Sequence, residues 1–68
     1  RFISSIDIGD DYVYFGSLHG GILRYQLYDH YWDFPFSTSS GLRSNHIIKI
    51  VFDADAHKLY AKTKLGID

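Results

Sequence analysis

Short runs of β-branched and aromatic residues alternate with breaks rich in Gly, Asp and Ser along the whole chain. No segment keeps a helical apolar period over a useful length, so the pattern predicts an all-β protein. Residues 2–8 read as a first strand, and Gly9-Asp10-Asp11 as a turn, because Gly and Asp accept turn dihedrals. Residues 12–17 and 21–27 are two more strands flanking a turn at Leu18–Gly21, where Gly20-Gly21 is a hairpin signature. After a break at Tyr28-Asp29-His30, residues 31–36 alternate, with Trp32, Phe34 and Phe36 on one face. Pro35 has no N–H to give a ladder, which puts this fourth strand on a sheet edge. Residues 1–40 are thus expected to form a four-stranded antiparallel meander.

Ser37–Gly41 is polar and loop-like, and residues 41–68 then start the pattern again. Ile47–Phe52 and Lys58–Thr63 have strong β-propensity and flank a turn at Asp53–His57. Ile3 and Ile6 match Ile47 and Ile50 at an offset of 44 (47 − 3). Tyr14, Ser17 and Gly20 match Tyr60, Thr63 and Gly66 at an offset of 46 (60 − 14), with Gly21 as an extra residue and Ile22 opposite Ile67. A period of roughly 40–45 residues with four strands per unit is that of a β-propeller blade. The expectation is one complete blade (1–40), then an inter-blade loop and the first two strands of the next (41–68). The start at Arg1, the absence of methionine and the apolar pattern still running at Leu65-Gly66-Ile67-Asp68 read as an excerpt of a longer protein. Ile3 and Ile6 have opposite parity on one strand, which burial of both sheet faces between blades would explain.

Composition narrows the field mainly by exclusion. The chain has 68 residues and no cysteine, so neither a disulfide framework nor a thiolate metal site supports so small a core. Net charge is −1 with both signs interspersed, which gives no footprint for nucleic acid, and no apolar run is long enough to insert in a membrane. Aromatic residues make up 18%, enough to fill the wedge between blades with rings such as Tyr14, Tyr25, Trp32, Phe34 and Phe36, or else to stack on sugars.

Tyr14, Gly16, Ser17, Gly20, Gly21, Ile22, Arg24 and Tyr25 lay out an aromatic-x-Gly-Ser-x-x-Gly-Gly-apolar-x-Arg-Tyr pattern. Trp32, Phe36, Gly41-Leu42-x-Ser44-Asn45-x-Ile47-x-x-Ile50, Asp53 and Leu59-Tyr60 follow in order. This combination resembles the two-component regulator propeller repeat of bacterial hybrid histidine kinases and related secreted propellers. The resemblance implies a non-catalytic, ligand-sensing propeller in the periplasm or at the cell surface. Its implied partners are the remaining blades of the parent chain and a saccharide or protein ligand. A structural or protein-docking propeller of an exported assembly is the other reading. Tyr14 and Tyr60 stand where the family often has Trp, Lys62 where it usually has Gly, Arg43 where Pro is common, and Ser40 where Asp is frequent.

In a meander the turns alternate between the two faces of the disc. The segment Ser40–His46 and the turn Leu18–Gly21 fall on one face, and the turns at 9–11, 28–30 and 53–57 on the other. Propeller ligand sites tend to gather at one mouth of the channel, so His19, Arg43, Asn45 and His46 are the candidate ligand or partner residues. Asn45 also suits a structural task, tying the loop backbone through its side chain. The four histidines lack metal-ligand spacing, and Asp53-x-Asp55 lacks the glycine and later oxygen ligands of a calcium loop. Ser39, Ser40 and Ser44 have no nucleophile elbow around them, so neither a cofactor nor catalysis is expected.

Overall fold

The computed structural model describes residues 2–68. The protein is all-β and antiparallel. The first sheet has strands β1 (Ile3–Gly9), β2 (Tyr12–Ser17), β3 (Ile22–Gln26) and β4 (Tyr31–Trp32), in the spatial order of the sequence. The second has β5 (Ile47–Asp53), β6 (Lys58–Thr63) and β7 (Gly66–Ile67), again in sequence order. A single 3₁₀ turn at Thr38–Ser40 lies between them, capped by Ser37, whose side chain accepts from the Ser39 N–H. The stretch expected to be polar and loop-like thus contains an ordered, capped turn.

The fourth strand is shorter than the 31–36 that alternation predicts. Pairing with β3 stops at Trp32, and Phe36 rejoins the sheet only as an isolated bridge to Ile22. Asp33–Pro35 bows away between these points; the Asp33 N–H still reaches the Arg24 carbonyl, and Arg24 Nε donates to the Phe34 carbonyl at 2.8 Å. The second sheet also goes one element beyond the two strands expected, since Gly66 and Ile67 pair with Thr63 and Lys62 as β7.

Both sheets carry the same irregularity. The β1–β2 register shifts between Ile3 and Ser5, and the β5–β6 register shifts between Ile47 and Lys49. An extra residue at Ser4 or Ile48 is a β-bulge, and it alters which side chains share a face. Ile47 lies opposite Thr63 and Ile50 opposite Ala61, so both isoleucines point the same way despite their opposite parity. The bulge, not burial of both faces, accounts for the Ile3/Ile6 and Ile47/Ile50 spacing.

The glycine correspondence also changes. Ser17 Oγ donates to the Gly21 carbonyl (2.8 Å) and Thr63 Oγ1 to the Gly66 carbonyl (2.9 Å). Gly21 and Gly66 both take positive φ, 75° and 145°. Gly66 is thus the counterpart of Gly21, and the second turn is shortened inside, where the first has Gly20. Gly21 needs its glycine twice over, because a side chain there would also strike the Phe36 carbonyl.

The sheets stack so that β5 packs on β1 and β2. Tyr14, Ile22, Ile47, Ile50 and Ala61 form the buried core, flanked by Tyr12, Phe36, Leu42, Phe52 and Leu59. Tyr14 stacks on Phe52, with centroids 6.1 Å apart and planes 13° from parallel. Beside this core, side chains of β1 bond directly to the backbone of β5. Ser4 Oγ donates to the Ile47 carbonyl (2.6 Å), the Ile50 N–H donates to Ser5 Oγ (3.1 Å), and the Phe52 N–H donates to Asp7 Oδ2 (2.8 Å). Ser5 and Asp7 each reach a residue 45 positions later, so β1 and β5 run in the same direction, joined through side chains.

Candidate functional site

The turns separate to two ends of the stacked sheets. At one end β2–β3 and the linker before β5 meet: the Gly21 N–H donates to the Asn45 carbonyl at 3.0 Å, and the Lys64 N–H to the His46 carbonyl at 3.0 Å. At the other end Asp10 Oδ1 lies 2.9 Å from His57 Nδ1, and the Leu27 N–H donates to the Asp11 carbonyl. Asp10 and Asp11 both adopt positive φ, which makes β1–β2 a two-residue hairpin of the primed type.

Two of the four candidate residues come together as side chains. The rings of His19 and His46 meet edge to face with centroids 6.5 Å apart. His19 is exposed at the tip of the hairpin and His46 is half-buried where the linker enters β5. Asn45 and Arg43 are occupied elsewhere. Asn45 Oδ1 accepts from the Thr38 N–H (2.8 Å), holding the 3₁₀ turn against the linker. Arg43 pairs with Asp68 through its own N–H (2.9 Å) and its Nε (3.4 Å), with most of its side chain exposed.

A cavity of about 380 Å³ opens beside His19, lined by Phe2, Ser17, His19, Gly20 and Leu23. Phe2 and Leu23 give it apolar walls, and His19, Ser17 and the Gly20 backbone complete the lining. The Ser17 hydroxyl is already committed: it donates to the Gly21 carbonyl and accepts from the Gly20 N–H at 2.9 Å. Phe2 and Leu23 were not among the sequence candidates. They read there as ordinary strand residues, and only the approach of the β1 entry to the hairpin reveals a shared hollow, marked by the Leu18 N–H bond to the Phe2 carbonyl.

Sequence reasoning also left unassigned a polar cluster on β2, β3 and the bowed segment. The Arg24 guanidinium lies over Phe36 at 4.3 Å and over Tyr12 at 5.3 Å, and its Nη1 is 3.7 Å from Asp33. The Tyr12 hydroxyl donates to Asp33 Oδ2 at 2.7 Å, which pushes the phenol up to about 12 and holds the Asp33 carboxyl below its ordinary value. Every group in the cluster has a partner, so it fastens residues 33–36 to the sheet and offers no free nucleophile. Asp53 is similarly engaged, its Oδ1 accepting from the Asp55 and Ala56 N–H groups to close the β5–β6 turn. Among the described residues no group of three or more His, Cys, Asp or Glu is arranged to hold a metal ion. Nor is any helix among them long and apolar enough to cross a membrane.

What the fold and these contacts define is a protein of two stacked antiparallel sheets with a histidine-edged hollow at one end. No family model, curated protein or solved structure matches the chain.

Proposed function

We propose that the chain is a stacking segment of a β-propeller, and that the propeller is a non-catalytic, extracytoplasmic ligand-sensing module of a two-component signalling protein. The carrying observation is a difference in exposure between equivalent positions of the two sheets. Tyr14 and Ile22 are 7% and 2% exposed, whereas their counterparts Tyr60 and Ile67 are 43% and 67% exposed. On the opposite faces the relation reverses: Ile47 and Ile50 are buried, while Ile3 and Ile6 lie open. The Tyr14/Ile22 face of the first sheet thus receives the Ile47/Ile50 face of the second in one heterologous contact, and the outer face of each sheet is left free. Such faces repeat around a ring when the rotation between sheets closes.

For the sensed ligand the candidate contact is the end of the sheets where His19 and His46 meet, and the hollow beside His19, on the side of the first sheet that carries Ile3, has a mixed apolar and polar lining that suits a saccharide or a peptide side chain. Calorimetric titration with a saccharide panel tests this, comparing the protein with His19→Ala and His46→Ala variants. Binding that falls about tenfold or more in variants of unchanged thermal stability supports the reading. Binding that survives both substitutions refutes the placement. A second reading, a protein-docking propeller, draws on Tyr28 in the turn before β4 and Phe34 in the bowed segment after it, which stand 72% and 84% exposed. A partner recovered with the wild type and lost with Phe34→Ser would favour it.

A further inference from the structure

The free face of the second sheet is not a copy of the buried face of the first. Antiparallel partners share a face, so Lys49 opposite Lys62, Val51 opposite Tyr60, and Ile67 opposite Lys62 define its outward surface. The equivalent positions on the first sheet are Ser5, Gly16, Asp7, Tyr14 and Ile22, which receive β5. Gly16 is the socket for Ile47: a Cβ on Gly16 would come 2.7 Å from Ile47 Cγ2, closer than two carbons can approach. Where that socket should recur stands Lys62, with Lys49 directly across from it and both exposed. Like charges facing each other across strands destabilise the pair unless something neutralises them. The polarity of the side-chain seam also inverts. Ser5 and Asp7 accept N–H groups of β5, whereas Lys49 and Val51 at their places have no acceptor to give.

We propose that this outward face docks a β-sheet of the same repeat whose residue at the Ile3/Ile47 position is a carboxylate, seated between Lys49 and Lys62. Lys62 thereby also prevents head-to-tail chaining of identical copies, in which Ile3 of one molecule would meet Lys62 of the next. The inference rests on the stacking part of the reading above and is independent of any sensed ligand. Its occupant follows from continuity with the interface already formed inside the chain and from charge complementarity.

Self-association of the protein provides the test, read by sedimentation velocity over a concentration series. The wild type is expected to remain monomeric. Ile3→Glu supplies the carboxylate on a position that is 45% exposed. It is expected to build species larger than dimers, because a head-to-tail dimer keeps one free face at each end and so grows on into a ring or a chain. Its association constant should exceed that of Ile3→Gln by about tenfold or more, fall as salt is raised, and vanish in the Ile3→Glu, Lys62→Glu double variant. Lys62→Gly, which restores the socket with no change to Ile3, should associate without salt sensitivity and lose association when Ile6→Glu is added. Equal behaviour of the Glu and Gln variants, with Lys62→Gly associating, removes the carboxylate proposal and leaves the stacking reading intact. Lys62→Gly association that ignores Ile6→Glu, or a wild type that already chains, overturns both. Folding of each variant is checked by circular dichroism, and the Lys62→Gly arm decides the steric half of the proposal should Ile3→Glu not fold.

Discussion

Gly16→Ala is the substitution for which the structure gives the clearest magnitude. The added methyl meets Ile47 Cγ2 at 2.7 Å, and Ile47 is fully buried. Overpacking of this kind costs about 1–3 kcal/mol. Removing a glycine restricts the unfolded chain and offsets about 0.4–1 kcal/mol of that. The middle of these ranges leaves a net loss of about 1.3 kcal/mol. With a urea slope of about 1 kcal/mol per molar for a chain this small, the unfolding midpoint falls by about 1.3 M. Far-ultraviolet circular dichroism and the fluorescence of Trp32, the only tryptophan, report the transition. The atom responsible can be identified. Leucine has no Cγ2 branch at Cβ, so the Ile47→Leu background should reduce the cost of Gly16→Ala by more than about 0.5 kcal/mol, a coupling that a double-mutant cycle resolves. Ile47→Val keeps Cγ2 and should leave the cost as it was. A Gly16→Ala protein as stable as the wild type, or a leucine background no better than valine, would refute the socket.

Two further outcomes follow from the polar contacts. The Asp7 carboxyl is held below its ordinary 3.8, first by the Phe52 N–H and then by the Ile8 N–H, with Lys49 adding attraction. A lowered folded-state value means the contribution is complete above about pH 4 and is lost as pH falls through that lowered value; the stability gap between wild type and Asp7→Asn should therefore narrow progressively in thermal melts run downward from about pH 5. Ser17→Ala strips a 2% exposed hydroxyl of its bonds to Gly21 and Gly20 and should cost about 1–3 kcal/mol, while Ser17→Thr, the residue the second sheet uses at Thr63, should cost less than about 0.5 kcal/mol by the same melts.

The meander and its repeat were legible because the positions that carry them are chemically alike in both copies: Ile3 and Ile47, Tyr14 and Tyr60, Ser17 and Thr63. The bulge at Ser4 was not, since a one-residue register shift leaves no mark on composition and mimics burial of both faces. Gly9 read as part of a turn, yet it is the last residue of β1, and a side chain there would run into the Phe52 ring. Close approach and turn geometry both select glycine, and sequence alone does not separate them. The premature end of β4 was foreshadowed by Pro35 but not located by it. At the candidate site, turn alternation brought the segments of His19 and His46 to one end. The hollow itself depends on the tertiary approach of Phe2, and the occupation of Arg43 by Asp68 on a contact between residues 25 apart.

The side-chain seam between β1 and β5 bears on the order in which the molecule assembles. Every backbone ladder joins strands adjacent in sequence, so each hairpin closes a short loop, at little entropic cost and on a microsecond scale. The bonds from Ser4, Ser5 and Asp7 span 43 to 45 residues and exist only after both hairpin sets are in place. Docking of one sheet on the other is therefore the late event, and the seam acts as a latch that holds finished parts together.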